Sequence, residues 1–297
     1  MSIRIFVLLA GMILAKAAAA FVDIKNGVFC INEVPTTFVG INIEQAHITP
    51  TTLQTIKAMG FNALRIKIKD ASLLKSVLDE AKKYQLQVLV AIDFQADATF
   101  VESYVHEQSI LAWEVLSLEQ AALFNKADNN HLICIAAPED KVITPSPLRS
   151  RHERSQHTDF LTLQLRPLDY GWVAPSSLFQ GLQSAYFKTN TYITELYRTA
   201  SFNGKPLVVT ACSYPRDKMF RYENSPTLNR NSYLSAVFSK MKSTGEAPPA
   251  LAACFLSQWA EPTEINDSTQ RNIAVSAIYA SDTTTIKLIQ TNFPTTK

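Results

Sequence analysis

Three carboxylates stand where a catalytic group is useful, Asp93, Glu119 and Asp217, and a fourth, Glu114, stands where it can pair with a cation. Asp93 ends the apolar run QVLVAID, Glu114 sits inside ILAWEVL, Glu119 opens the polar stretch after it, and Asp217 lies in a loop. Paired carboxyl groups can act as general acid and base, or as acid and nucleophile, when they face each other. Asp93 is placed for the rim of a barrel, where such sites form, but lacks a partner in its own segment. Glu119 reads first as a helix N-terminal charge complementing the dipole; a one-residue bulge is what would turn it inward. Asp217, like Glu139, reads as a solvated loop charge. Arg65, in the strand-like run ALRIKI, needs an anion if it faces a barrel interior. Glu114 is its expected partner and Asp93 the alternative; an Arg65 solvated at the barrel mouth is the reading without a pair.

Other reactive types point to less. Cys30, Cys134, Cys212 and Cys254 are widely spaced, and three of them lie in apolar runs. With no CxxC and no Cys/His cluster, buried free thiols are expected and neither a metal nor a cofactor is. Cys212 has no His beside it and reads as core rather than nucleophile. Tyr170, Trp172, Tyr214 and Trp259, with Gln164, are the candidates for ligand contact, since aromatic rings offer an apolar face and polar edge groups. Each also has an ordinary packing role open to it.

The elements that must position these groups follow from periodicity. Asn26-Gly27 between Phe21–Ile24 and Val28–Ile31 predicts a hairpin with a type I′ turn. Strands are then expected over 37–43, 63–68, 87–93, 110–116, 132–136, 160–165, 206–211 and 250–256. Helices are expected over 49–59, 71–84, 118–126, 180–201, 231–243 and 283–292. The strands are apolar on both faces, as a parallel sheet covered by helices requires. Eight such units in 297 residues favour an α/β fold of the (β/α)8 barrel type, with the third and fifth units shortened. No GxGxxG follows a strand, which argues against a dinucleotide fold.

A formal charge of +2 with scattered basic and acidic residues gives no case for nucleic acid or an acidic membrane. Residues 1–20 read as a signal peptide: Arg4, an apolar Ile5–Ala15, and Ala17–Ala20 before an expected cut at Phe21. Met12 follows Leu9-Ala10-Gly11, so a lipoprotein anchor is not expected. No later segment reads as transmembrane, and residues 21–297 are expected to be one exported barrel, periplasmic or extracellular.

Several local signatures together resemble one family. They are Gly40-Ile41-Asn42, Asn62-Ala63-Leu64-Arg65, Ala112-Trp113-Glu114, Asp128-Asn129-Asn130-His131, Gly204-Lys205-Pro206, Tyr214-Pro215-Arg216-Asp217 and Ser281-Asp282-Thr283. In order and spacing they are similar to the endo-β-1,4-mannanase branch of glycoside hydrolase family five, over nearly the whole chain after residue 20. The resemblance implies a retaining mannanase-like barrel with an acid/base Glu ending the fourth strand and a nucleophilic Glu ending the seventh. Here Leu118 and Ala211 match those positions. The family's strand-six His is matched by Gln164 and its strand-eight Trp by Leu256, with Trp259 three residues later. Leucine transfers no proton and alanine attacks no carbon. The resemblance therefore implies an exported, catalytically degenerate homologue that binds β-mannan or a related oligosaccharide, or serves as an accessory in polysaccharide handling. Two alternatives stand beside it: an active hydrolase using Glu119 with Asp93 or Asp217, and a non-enzymic interaction protein with a closed mouth.

Overall fold

The computed structural model describes residues 21–137, 157–243, 247–261 and 275–294. The segment 1–20, and most of the loop expected over 138–158, lie outside them.

An antiparallel sheet of β1 (Val22–Lys25), β2 (Val28–Ile31) and β3 (Val34–Pro35) closes one end of the molecule. Asn26 and Gly27 both take positive φ, as the predicted turn requires. The third short strand was not foreseen; Val34-Pro35 is too brief to leave a pattern. Phe29 from this sheet meets Phe38 and Phe160 edge-on at 5.6 and 5.4 Å and plugs the barrel floor.

The main sheet has eight parallel strands: β4 (Phe38–Ile43), β5 (Ala63–Ile68), β6 (Gln87–Ile92), β7 (Ile110–Val115), β8 (Leu132–Ile135), β9 (Leu161–Leu165), β10 (Leu207–Cys212) and β11 (Ala253–Gln258). Their order, β8-β7-β6-β5-β4-β11-β10-β9, is that of a (β/α)8 barrel, with β8 and β9 at the seam. There Asp159 N donates to Ile133 O at 2.8 Å, Ile133 N donates to the Asp159 carboxylate at 2.7 Å, and Thr162 Oγ1 donates to Ile135 O at 2.7 Å.

Helices α1 (Pro50–Ala58), α2 (Leu74–Lys83), α3 (Ala98–Glu102), α4 (Leu118–Ala127), α5 (Leu178–Phe202), α6 (Leu228–Ser239) and α7 (Thr283–Asn292) follow strands in the expected alternation. The third unit is short, as the polar stretch 94–109 implied. Two expectations need moving. The last strand runs 253–258, not 250–256, because Leu251 N is taken up by Lys240 O before the ladder starts. The helix expected over 231–243 runs 228–239, because Asp217 caps it from outside the local sequence at Leu228 N and Asn229 N.

Apolar side chains fall into two layers. Alternate strand residues such as Val39, Ile41, Leu64, Ile66, Val209 and Leu256 pack under the helices. Phe38, Ala63, Leu89, Ala112, Cys134, Val208 and Phe255 fill the barrel's lower interior. Gly40 makes room there: a Cβ on it would sit 2.3 Å from the Phe255 ring. All four cysteines are buried and free, as the sequence implied. Among the described residues no helix is long and apolar enough to cross a membrane, and no group of His, Cys, Asp and Glu could hold a metal.

Candidate functional site at the barrel mouth

Above the apolar floor, the inward-facing residues become polar. Arg65 on β5 and Glu114 on β7 form a bidentate pair, Nε to Oε2 and Nη2 to Oε1, both 2.6 Å. Glu114 is 1% exposed and Arg65 16%. Two parallel, charge-assisted bonds fix both side chains and neutralise a charge that burial would otherwise penalise. Arg65 Nη1 also donates to Asn42 Oδ1 at 2.7 Å, and Asn42 Nδ2 donates to Leu256 O at 2.7 Å and Thr210 O at 3.0 Å. One network therefore crosses the interior and ties β4, β5, β7, β10 and β11 together. Asn42 was legible only as part of a strand-end signature. The signal that could have singled it out is an amide at the inward parity of a strand otherwise filled with apolar residues.

Of the two positions expected to lack carboxylates, Ala211 adjoins Thr210, whose carbonyl belongs to this network, and Leu118 lies beyond the end of β7. β7 ends at Val115, and Ser117 caps α4 by accepting from Gln120 N at 3.2 Å. Gln120 returns two bonds, accepting from Leu116 N and donating to Phe94 O, both 3.0 Å. Leu118 is thus the first helical residue, packed against the layer beneath the helices. The strand-parity argument that aimed it into the barrel fails, because the chain has already left strand geometry. Glu119 is exposed beside it. A hydrogen bond with Ser117 and one to its own backbone hold its carboxyl below the usual range, so it is a helix-terminal charge and does not turn inward. Ala211 is 3% exposed, level with Gln164 of β9 beside a register shift between Val209 and Ala211. Cys212, next to it, lies in the layer under the helices.

The remaining carboxylates have other partners. Asp93 pairs with Lys67 at 3.1 Å on the rim, so Arg65 did not need it. Asp217 accepts from the amides of Leu228 and Asn229 at 2.9 and 3.0 Å, which makes it a cap for α6. Glu44, at the end of β4, accepts from Gln258 Nε2 at 2.7 Å.

The aromatic candidates divide. Tyr214 is fully buried, donates to Leu178 O at 2.8 Å and stacks on Tyr233 at 4.9 Å. Burial pushes its phenol up to about 12. Trp259 is 2% exposed and its Nε1 donates to Glu261 at 2.8 Å. Neither ring offers a face to a ligand, so both leave the list of sugar platforms. Tyr170 and Trp172 are half-buried, with ring centroids 5.1 Å apart, and Tyr170 Oη donates to the backbone carbonyl of Gln164 at 3.2 Å. Burial raises the Tyr170 phenol far above its ordinary value. Gln164 itself is 7% exposed.

A second polar cluster was not foreseen. Asp282 Oδ2 receives Arg216 Nη2 at 2.6 Å and Arg230 Nη2 at 2.9 Å, all three side chains being buried. Burial, offset in part by Asp282, lowers the Arg230 guanidinium to about 10. Arg216 and Asp282 belong to the two signatures Tyr214–Asp217 and Ser281–Thr283. Charged residues retained inside such signatures were the available clue.

Comparison with known proteins follows the same lines. Residues 102–287 match the family model described as GH family 5 beta-mannosidase-like. A search of curated proteins finds no match. Among solved structures, the glycoside hydrolase family 5 mannosidase from Rhizomucor miehei superposes with a TM-score of 0.72 at 14% identity, covering 92% of this chain and 96% of that one. A mutant of that enzyme in complex with mannosyl-fructose gives 0.73 at 12% identity, over 92% and 96%. The endo-1,4-beta-D-mannanase of Thermotoga petrophila RKU-1 gives 0.58 at 15% identity, over 86% of this chain and 99% of that one. With the family model spanning more than half of it, the chain belongs to the mannosidase-like group of glycoside hydrolase family 5.

Proposed function

We propose that this chain is an exported, catalytically silent member of its family that binds a β-linked, mannose-containing glycan without cleaving it. The observation that carries the reading is that neither Leu118, now the first residue of α4, nor Ala211, at the end of β10, brings a carboxylate to the mouth, though the resemblance matches these positions to acid/base and nucleophile. Hydrocarbon there supplies neither the proton nor the attack that retaining hydrolysis needs. The inward carboxylate nearest in the framework, Glu114, has both oxygens occupied by Arg65, and Asp93 and Asp217 are engaged with Lys67 and two backbone amides. Such groups are poorly disposed to replace the missing pair. The mannosyl-fructose held by the fungal relative indicates the chemical class of ligand.

The test is incubation of the purified chain with soluble β-mannan and with short mannosides, following reducing sugar over days. No release above buffer is expected, and binding to the same mannan is expected by affinity electrophoresis. Substantial hydrolysis by the parent chain, abolished by Glu119→Gln, would overturn the silent reading in favour of relocated carboxylates. Export is tested separately, by the N-terminal sequence of secreted material, with Phe21 expected first.

A further inference from the structure

Burial of Tyr214 and Trp259 leaves the glycan reading short of ring faces in the mouth itself. The rim next to it has a surplus. The segment 217–227 leaves the C-terminal end of β10 and returns to α6 as a closed loop: Asp217 N donates to Pro226 O at 3.0 Å, and the Asp217 carboxylate caps α6. Arg216 Nη1 donates to Ser225 O at 3.2 Å, Tyr279 Oη to Arg221 O at 2.8 Å, and Ser281 Oγ to Glu223 at 3.2 Å. Beneath it lies the buried Arg216–Asp282–Arg230 cluster. Lys218, Met219 and Asn224 all take positive φ, at 57°, 58° and 60°. The ties just described hold these three non-glycine residues in that conformation.

This tied-down loop displays apolar side chains. Phe220 is 41% exposed, Tyr222 75% and Leu228 71%; Phe179 is 70% exposed at the start of α5, a helix that touches the turn 217–219. None of these four side chains is needed to close the loop, whose ties are made by backbone, Asp217, Arg216, Tyr279 and Ser281. Lys218, Glu223 and Asn224, also exposed, interleave with them. Ring faces alternating with hydrogen-bonding groups on a prepaid backbone match a pyranose chain, which alternates CH faces with hydroxyl edges. The loop directly follows β10 and continues the rim of the mouth read above as glycan-binding, which favours a sugar chain over a protein partner as its occupant.

Resting on the glycan-binding reading above, we propose that the loop 217–228, with Phe220 and Tyr222 as stacking platforms and Phe179 and Leu228 at its margin, is the principal contact for a β-linked hexopyranose chain lying across the rim.

The experiment uses the full mature chain with soluble β-mannan in affinity gels and β-1,4-mannohexaose in calorimetry. The variants are Phe220→Ala/Tyr222→Ala, Tyr222→Phe and Trp172→Ala. Both loop side chains are exposed, so the double variant is expected to keep the parent's melting temperature and to bind about tenfold or more weakly. Tyr222→Phe, which keeps the ring, is expected to bind within about twofold of the parent. A parent that binds mannan together with a double variant of equal affinity overturns the loop assignment and leaves glycan binding standing, the more so if Trp172→Ala loses it. A parent that binds neither probe overturns both. A double variant that alters self-association with glycan affinity unchanged assigns the patch to a second copy of the chain and overturns the proposal likewise.

Discussion

Arg65 and Glu114 are the residues on which the barrel interior turns, and each is costly without the other. Glu114→Gln would leave the Arg65 guanidinium facing an amide, and we expect destabilisation of about 3 kcal/mol in urea melts, at the lower end for a broken buried pair because Arg65 keeps some contact with solvent. Replacing both by apolar residues of similar volume should cost less than Glu114→Gln alone, which a double-mutant cycle measures. Asp128 makes a second prediction at this scale. Burial opposes its charge, but hydrogen bonds from His131 Nδ1 at 2.6 Å, Trp113 Nε1 at 2.9 Å and two backbone amides outweigh that and hold its carboxyl below 3.8. A depressed folded value means that the carboxylate adds stability above the ordinary aspartate value, and that this is lost as pH falls through the folded value. Asp128→Asn should therefore be less stable than the parent at neutral pH, with the gap narrowing below pH 3.8. A gap that stays constant through acid would show that the charge contributes nothing.

Helix ends and strand interiors decide which of these residues can reach the site. Ser117 opens α4 immediately after β7, which is why Leu118 becomes helical and Glu119 points to solvent. Ser117→Ala should cost about 1 kcal/mol, and Asp217→Ala a similar amount or more because it caps α6 through two amides and closes the rim loop. Chemical denaturation measures both; an Asp217→Ala chain as stable as the parent would contradict the capping role. Strand positions other than β3 and the last strand, and helix positions 118–126 and 283–292, were readable because periodicity is local. The start of α6 was misread for the opposite reason: its cap comes from a residue eleven positions upstream, across a folded loop. Gly40 illustrates the same divide. Its place in a strand was legible, but only packing shows that a side chain there collides with Phe255. Gly40→Ala should lose about 1–3 kcal/mol by overpacking.

For the molecule as a whole, the weak line is the seam. β5 and β6 share six register pairs, whereas β8 and β9 are joined among the described residues through Asp159, Thr162 and Ile133 rather than by a ladder. Burial raises the Asp159 carboxyl, against the Ile133 amide that lowers it. Amides of β8 and β9 should exchange hydrogen faster than those of β5 and β6, and Asp159→Ala should widen that difference. Equal protection around the barrel would mean that closure is as firm at the seam as elsewhere.

The order of eight strands, the floor hairpin, the Arg65–Glu114 partnership and the absence of acid at positions 118 and 211 were all written in the residues themselves. The first three follow from local periodicity, from turn chemistry and from the cost of an uncompensated charge; the last follows from the family resemblance. Tertiary structure alone decided that Tyr214 and Trp259 are packing residues and that Asn42 joins five strands. It also decided that Arg216, Arg230 and Asp282 meet, and that a strained loop lifts Phe220 and Tyr222 to the rim. Those outcomes depend on which distant side chains compete for the same volume and the same hydrogen bonds, and no spacing along the chain encodes that competition.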